Sequence, residues 1–112
     1  MQLNYINNYS VMKTNKMKVE KFTSVSEEEL AYCIKDIAEN SDKSSFGTIF
    51  NFFAPRLKSY LVKIGSTENQ AEEVIQEVML AVWTKASSYD KKKSSTSTWI
   101  YTIARNKRID KL

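Results

Sequence analysis

AEEVIQEVMLAVW, residues 71–83, and STSTWIYTIARNKRID, residues 95–110, decide how this chain folds. Placed at helical steps of about 100° per residue, Val74, Ile75, Val78 and Val82 fall in one narrow stripe. A stripe of that period is a helix with one face in a core, and it is predicted to run from a Thr67 cap to about Ala86. The second stretch repeats the pattern: Ile100, Ile103 and Ala104 form its apolar stripe, with Trp99 on the flank. Tyr101, Arg105 and Arg108 are expected on its outer side, and Lys107 to carry its ammonium outward along an apolar stem. The two helices differ in charge. The first is acidic and the second is basic and aromatic.

Working outward, the same period recurs upstream. Ser26 followed by Glu27, Glu28 and Glu29 has the form of a capping box, predicting a helix to about Asn40 with Leu30, Ile34, Ile37 and Ala38 inward. Cys33 beside them reads as a small buried hydrophobe. SDKSSF interrupts the pattern, after which Phe46, Ile49, Phe50 and Phe53, then Leu57, Leu61 and Ile64, carry an apolar stripe to a stop at Gly65. Proline lacks an amide proton and crowds the preceding turn, so a kink or break is expected at Phe53–Pro55. The four phenylalanines between 46 and 53 read as core. The expected fold is all-α, a compact bundle of about four helices over residues 26–112. Residues 1–25 show neither helical nor strand period and are expected to form a flexible extension.

Composition agrees with helices and limits the chemistry. The 112 residues contain two Gly, one Pro, one Cys and no His. Tight β-turns are scarce under that composition, and an intrachain disulfide or a common zinc site lacks its ligands. There is no glycine-rich phosphate loop and no poised nucleophile, so neither an enzyme nor a cofactor is expected. Glu72, Glu73, Gln76 and Glu77 are the one cation-binding alternative, with a carboxylate enzyme site on Glu72 or Glu73 as its catalytic form, and neighbouring helical positions diverge too far to converge on one ion. No segment reaches the length of a membrane span, and a cytoplasmic location is expected. The net charge of +4 is unevenly spread. Residues 91–112 hold seven cations against Asp110, a net +6, leaving −2 for residues 1–90.

That division suggests two binding faces. Opposite the buried stripe of the acidic helix, Glu73, Gln76, Glu77 and Thr84 surround Leu80, an apolar anchor in a polar rim. Lys91, Lys92 and Lys93 on a polar loop, followed by hydroxyl residues, Trp99 and Tyr101, suit single-stranded nucleic acid, where cations neutralise phosphates and rings stack on bases.

The stretch from Phe46 to Leu112 resembles the second conserved region of the extracytoplasmic-function sigma factors of bacterial RNA polymerase. Ala71-Glu72-Glu73, Gln76-Glu77 and Trp83, then Trp99-Ile100-Tyr101-Thr102-Ile103-Ala104-Arg105-Asn106, carry the resemblance. It implies a transcription initiation factor domain whose acidic helix docks on the β′ clamp helices of core RNA polymerase through Glu73, Gln76 and Glu77, on the face that the helical wheel isolates around Leu80. It further implies that the following loop and helix hold the non-template strand of the melted minus-ten promoter element. Lys91, Lys92, Lys93, Arg105, Arg108 and Lys111 would then contact the DNA backbone. Ser95, Ser97, Trp99, Tyr101 and Asn106 would meet the strand or an extruded base. Partners on this reading are core polymerase, promoter DNA and an anti-sigma factor. Glu73 stands where the family commonly has Asp, and Met79 where an aromatic is common. A helix-turn-helix domain that follows in such factors is absent from these 112 residues, so an isolated domain or truncated product is expected. A polymerase-independent helical nucleic-acid-binding module is the alternative.

Overall fold

The computed structural model describes residues 25–112. Four helices occupy them: α1 (Glu27–Asn40), α2 (Lys43–Lys63), α3 (Glu68–Lys85) and α4 (Thr96–Asp110), with a 3-10 turn (Ala86–Ser88) after α3. No strand is present among the described residues. Each helix packs on its chain neighbours, and α1 closes the bundle against the 3-10 turn and α4. The expectation for residues 1–25 lies outside the described residues except at Val25, which packs half-buried against the core. It holds the position before the cap from which an apolar side chain staples a helix start.

The caps explain the boundaries. Ser26 Oγ accepts the Glu29 amide at 3.1 Å, but Glu29 does not return a bond to the Ser26 backbone; its carboxylate takes the Ser26 hydroxyl instead, so the expected box is half formed. The reciprocal box is at α3, where Thr67 and Gln70 exchange bonds of 2.9 and 3.1 Å. Asp42 caps α2 and Ser95 caps α4, each accepting the amide three residues on. Gly65 (φ +114°) ends α2: its amide reaches Val62 O at 3.1 Å and the Ser66 amide reaches Leu61 O at 2.9 Å. That pair of bonds requires a left-handed residue at the turn.

The predicted break at Pro55 is absent, and α2 runs unbroken from Lys43 to Lys63 with the proline inside it. Phe46, Ile49, Phe50, Phe53, Leu57 and Leu61 lie on both sides of Pro55 and are all buried in one core. Breaking the helix would turn half of that stripe away. Burying each such side chain stabilises by roughly 1.5–3 kcal/mol, against about 3 kcal/mol for an interior proline, so the stripe wins. The Arg56 side chain packs the same turn, donating to Phe52 O at 2.7 Å with its guanidinium 3.8 Å from the Phe52 ring centroid.

The core gathers Leu30, Ile34 and Ile37 from α1, the α2 stripe, Val74, Val78, Met79 and Val82 from α3, and Ile100 and Ala104 from α4. Cys33 is half-buried at its edge, and burial raises its thiol pKa. Trp83 meets Phe46 edge-on at 5.2 Å.

Candidate functional site

On α3 every residue of the predicted stripe is buried, so the opposite side faces out. Glu73 and Gln76 are exposed, Glu77 is half-buried, and Leu80 is 52% exposed. The Thr84 hydroxyl turns back to Leu80 O at 2.9 Å, which leaves the outer face to the carboxylates, the amide and the leucine. Lys111 crosses from the end of α4, placing Nζ 2.7 Å from Glu73 Oε1 and 2.5 Å from Glu77 Oε2. Those hydrogen bonds push the lysine's pKa above its ordinary value. Glu72, on the other flank, pairs with Lys58 at 3.2 Å.

The segment between α3 and α4 is a hydrogen-bonded turn. Asp90 gathers the turn: its carboxylate accepts the Lys92 amide at 2.9 Å, and its carbonyl accepts those of Lys93 and Ser94 at 3.0 and 3.3 Å. Tyr89 fastens the turn to α4. Its hydroxyl donates to Ser94 O at 2.9 Å and accepts from the fully buried Thr96 hydroxyl at 3.2 Å, while its ring lies 5.1 Å from that of Trp99. Lys91, Lys92 and Lys93 are thereby held out at an exposed tip.

α4 begins at Thr96 because Ser95 is its cap. The Ser95 hydroxyl accepts the Thr98 amide at 3.1 Å and lies 3.0 Å from Thr98 Oγ1. The Ser97 hydroxyl donates to the Glu27 carboxylate, tying the first turns of α1 and α4 together. Trp99 is half-buried against Tyr89. Arg105 and Asn106 are exposed.

Two residues assigned to the outer side of α4 lie elsewhere. Tyr101 is half-buried, edge-on to Tyr60 at 5.2 Å and Phe53 at 6.4 Å, and desolvation raises its phenol pKa. Arg108 donates to Ile64 O at 2.8 Å and to Ser66 Oγ at 3.4 Å, spending its fork on the α2–α3 turn. Lys107 is half-buried.

Between α1 and the turn lies an open groove of about 880 Å³. Lys91, Lys92, Asp90, Ser95 and Tyr89 line one wall and Tyr32, Lys35, Glu27, Glu28 and Glu39 the other, so carboxylates stand among the lysines. The structure thus brings Lys91, Lys92 and Ser95 together at one groove, with the Tyr89 and Trp99 rings in tilted contact beside them. Tyr89, Tyr32 and Lys35 were not among the sequence-derived candidates. Tyr89 had a signal, a ring next to the lysine run; α1 had none, being some 60 residues away in the chain and outside the resemblance.

A family model described as Sigma-70 region 2 matches residues 49–112, more than half of the chain. The chain belongs to the sigma-70 region 2 family. The curated relatives it matches include extracytoplasmic-function sigma factors. The ECF RNA polymerase sigma factor RpoE of Cereibacter sphaeroides is 47% identical over 79 residues, which is 70% of this chain and 44% of that protein. The ECF RNA polymerase sigma factor SigK of Mycobacterium sp. (strain KMS) is 26% identical over 84 residues, 75% of this chain and 43% of that one. Among solved structures, Rhodobacter sphaeroides SigE, crystallised in complex with the anti-sigma ChrR, is similar with a TM-score of 0.71 and 42% identity, covering 75% of this chain and 54% of that one. The region 2 chain therefore spans less than half the length of the curated relatives it matches. Within this region 2, α3 carries the acidic face, and the Tyr89–Ser95 turn with α4 carries the exposed lysines and the half-buried tryptophan.

Proposed function

We propose that this chain is the module of an extracytoplasmic-function sigma factor that binds core RNA polymerase through α3 and holds melted promoter DNA through the Tyr89–Ser95 turn and α4. It acts as a non-catalytic initiation factor in the cytoplasm. The observation that carries the reading is Leu80, more than half exposed on a helix whose other large apolar residues are buried or half-buried. An apolar anchor rimmed by Glu73, Gln76 and Glu77 suits a partner presenting basic and apolar side chains, as the β′ clamp helices would.

The second face supplies the differential affinity that opening requires. Unstacking a base costs a few kcal/mol, and a protein that binds only the open strand shifts the equilibrium by what it gains from that strand. Lys91, Lys92, Lys93 and Arg105 neutralise non-template phosphates, Trp99 and Asn106 meet the strand, and the groove beside Tyr89 and Ser95 has room for an extruded base of the minus-ten element. Ser97, Tyr101, Arg108 and Lys111 have their polar groups or rings engaged within the fold, which makes the loop lysines and Arg105 the principal contacts. An anti-sigma factor is a further expected partner, since the similar SigE was solved with one.

Charge reversal tests the reading. Gln76→Lys with Glu77→Lys is expected to abolish co-purification with core polymerase and to leave single-stranded DNA binding in place. Undiminished polymerase association would overturn it. Tight DNA binding by a wild-type chain that never associates with polymerase would favour the polymerase-independent module.

A further inference from the structure

Lys111 belongs by sequence to the basic C-terminal segment, yet its ammonium sits between two carboxylates of the acidic face, 2.7 Å from Glu73 and 2.5 Å from Glu77. Glu73 and Glu77 stand one helical turn apart, where like charges repel, and the cation between them removes that repulsion. One ammonium cannot serve two places. While it bridges Glu73 and Glu77 it neither contacts a phosphate nor leaves those carboxylates open to a cation from outside. All three side chains are at the surface, with Lys111 33%, Glu77 38% and Glu73 64% exposed. Exposed ion pairs of this kind are worth only a factor of about 2 to 5 in an equilibrium, so another cation can displace the lysine.

We propose that Lys111 is an internal stand-in for a partner's cation: it occupies the acidic face of the free chain, and a basic protein surface docking on Glu73 and Glu77 releases it to bind a nucleic-acid phosphate. The inference rests on the reading above that α3 meets a protein and the basic segment meets nucleic acid. It adds a coupling between the two. Because linkage is reciprocal, DNA that captures Lys111 opens Glu73 and Glu77 and raises affinity for the protein partner by the same factor. The contact thus favours the ternary assembly over either binary one.

A cycle of four full-chain proteins tests this: wild type, Lys111→Gln, Glu73→Gln/Glu77→Gln, and all three substitutions together. Binding to a short fluorescent single-stranded oligodeoxynucleotide is followed over a salt series, and binding to core RNA polymerase at one salt. Freeing Lys111 by Glu73→Gln/Glu77→Gln should steepen the salt dependence for the oligonucleotide by roughly 0.7, one single-strand phosphate contact, with about 2- to 5-fold tighter binding. In the Lys111→Gln background the same two substitutions should leave the slope unchanged. Lys111→Gln alone should bind core polymerase about 2- to 5-fold more tightly. A slope that rises equally with and without Lys111, or in neither background, overturns the inference, as does polymerase affinity that Lys111→Gln leaves unchanged or lowers. Should wild type not bind polymerase at all, the proposed function fails there, and the oligonucleotide arm alone decides whether Glu73 and Glu77 sequester Lys111.

Discussion

Removing one oxygen from Tyr89 should loosen the nucleic-acid face without altering its charge. In Tyr89→Phe the ring and its tilted contact with Trp99 at 5.1 Å remain, while two hydrogen bonds disappear. Ser94 O loses a donor at 2.9 Å, but Ser94 is half-buried and water can replace it, a net loss of about 0.5–1 kcal/mol. The Thr96 hydroxyl is worse placed. It is fully buried, its bond to Tyr89 is 3.2 Å, and leaving it unpaired costs about 1–2 kcal/mol. The sum, about 2 kcal/mol, should lower the melting temperature by roughly 8–16 °C for a domain of this size. Replacing the second partner as well, in Tyr89→Phe/Thr96→Val, removes the orphaned hydroxyl and should recover about half of the loss. Urea unfolding of the four proteins of that cycle measures the coupling directly. Oligonucleotide affinity should fall in Tyr89→Phe because Lys91–Lys93 lose their fixed placement, with an unchanged salt slope because no cation has gone. A neutral Tyr89→Phe, or a double variant no more stable than the single, would refute the claim that this hydroxyl pair holds the turn.

Neutralising Lys91, Lys92 and Lys93 together should flatten the salt dependence of single-stranded DNA binding by about 0.7 per lost phosphate contact, and a salt-independent wild type would contradict the electrostatic account. Gly65→Ala places a Cβ at φ +114° and 3.3 Å from Arg108 Nη2, so it should destabilise by about 1–2 kcal/mol in thermal melts and disturb the Arg108 bond to Ile64 O. Asn40 Nδ2 and Ser45 Oγ, at 2.7 and 2.8 Å, hold the Asp36 carboxyl below its ordinary pKa of 3.8. Its contribution is present above that value and lost as pH falls through the lowered one, so Asp36→Asn should remove part of the acid-induced loss of stability below about pH 4, read by pH-dependent denaturation.

Most of the fold was legible because each helix carries its own period and its own stop. The wheel for α3 isolated Leu80 opposite Val74, Val78 and Val82 without knowledge of any neighbour, and Gly65 and Thr67 marked the α2–α3 turn. Pro55 was misread because a local penalty was weighed without the stripe that continues on both sides of it. The errors on α4 have a common cause. A wheel fixes where a Cβ points but says nothing of where a long side chain ends. Arg108 reaches a carbonyl 44 residues away, Lys111 a carboxylate 38 away, and Ser97 is held by Glu27 across 70 residues. Tyr101 lies at the border of the apolar sector, where only the presence of Tyr60 and Phe53 decides that the ring turns inward. The groove was invisible for the same reason, since one of its walls is α1.

Site-specific crosslinking from α3 tests the central claim most directly. A photoreactive residue replacing Leu80, in the full chain mixed with core RNA polymerase, should yield an adduct with the β′ subunit that excess unmodified chain suppresses, whereas the same group at Lys92 should yield none with β′ and should instead label single-stranded DNA. Polymerase that retains the chain yet gives no β′ adduct from Leu80 would contradict the assignment of this face.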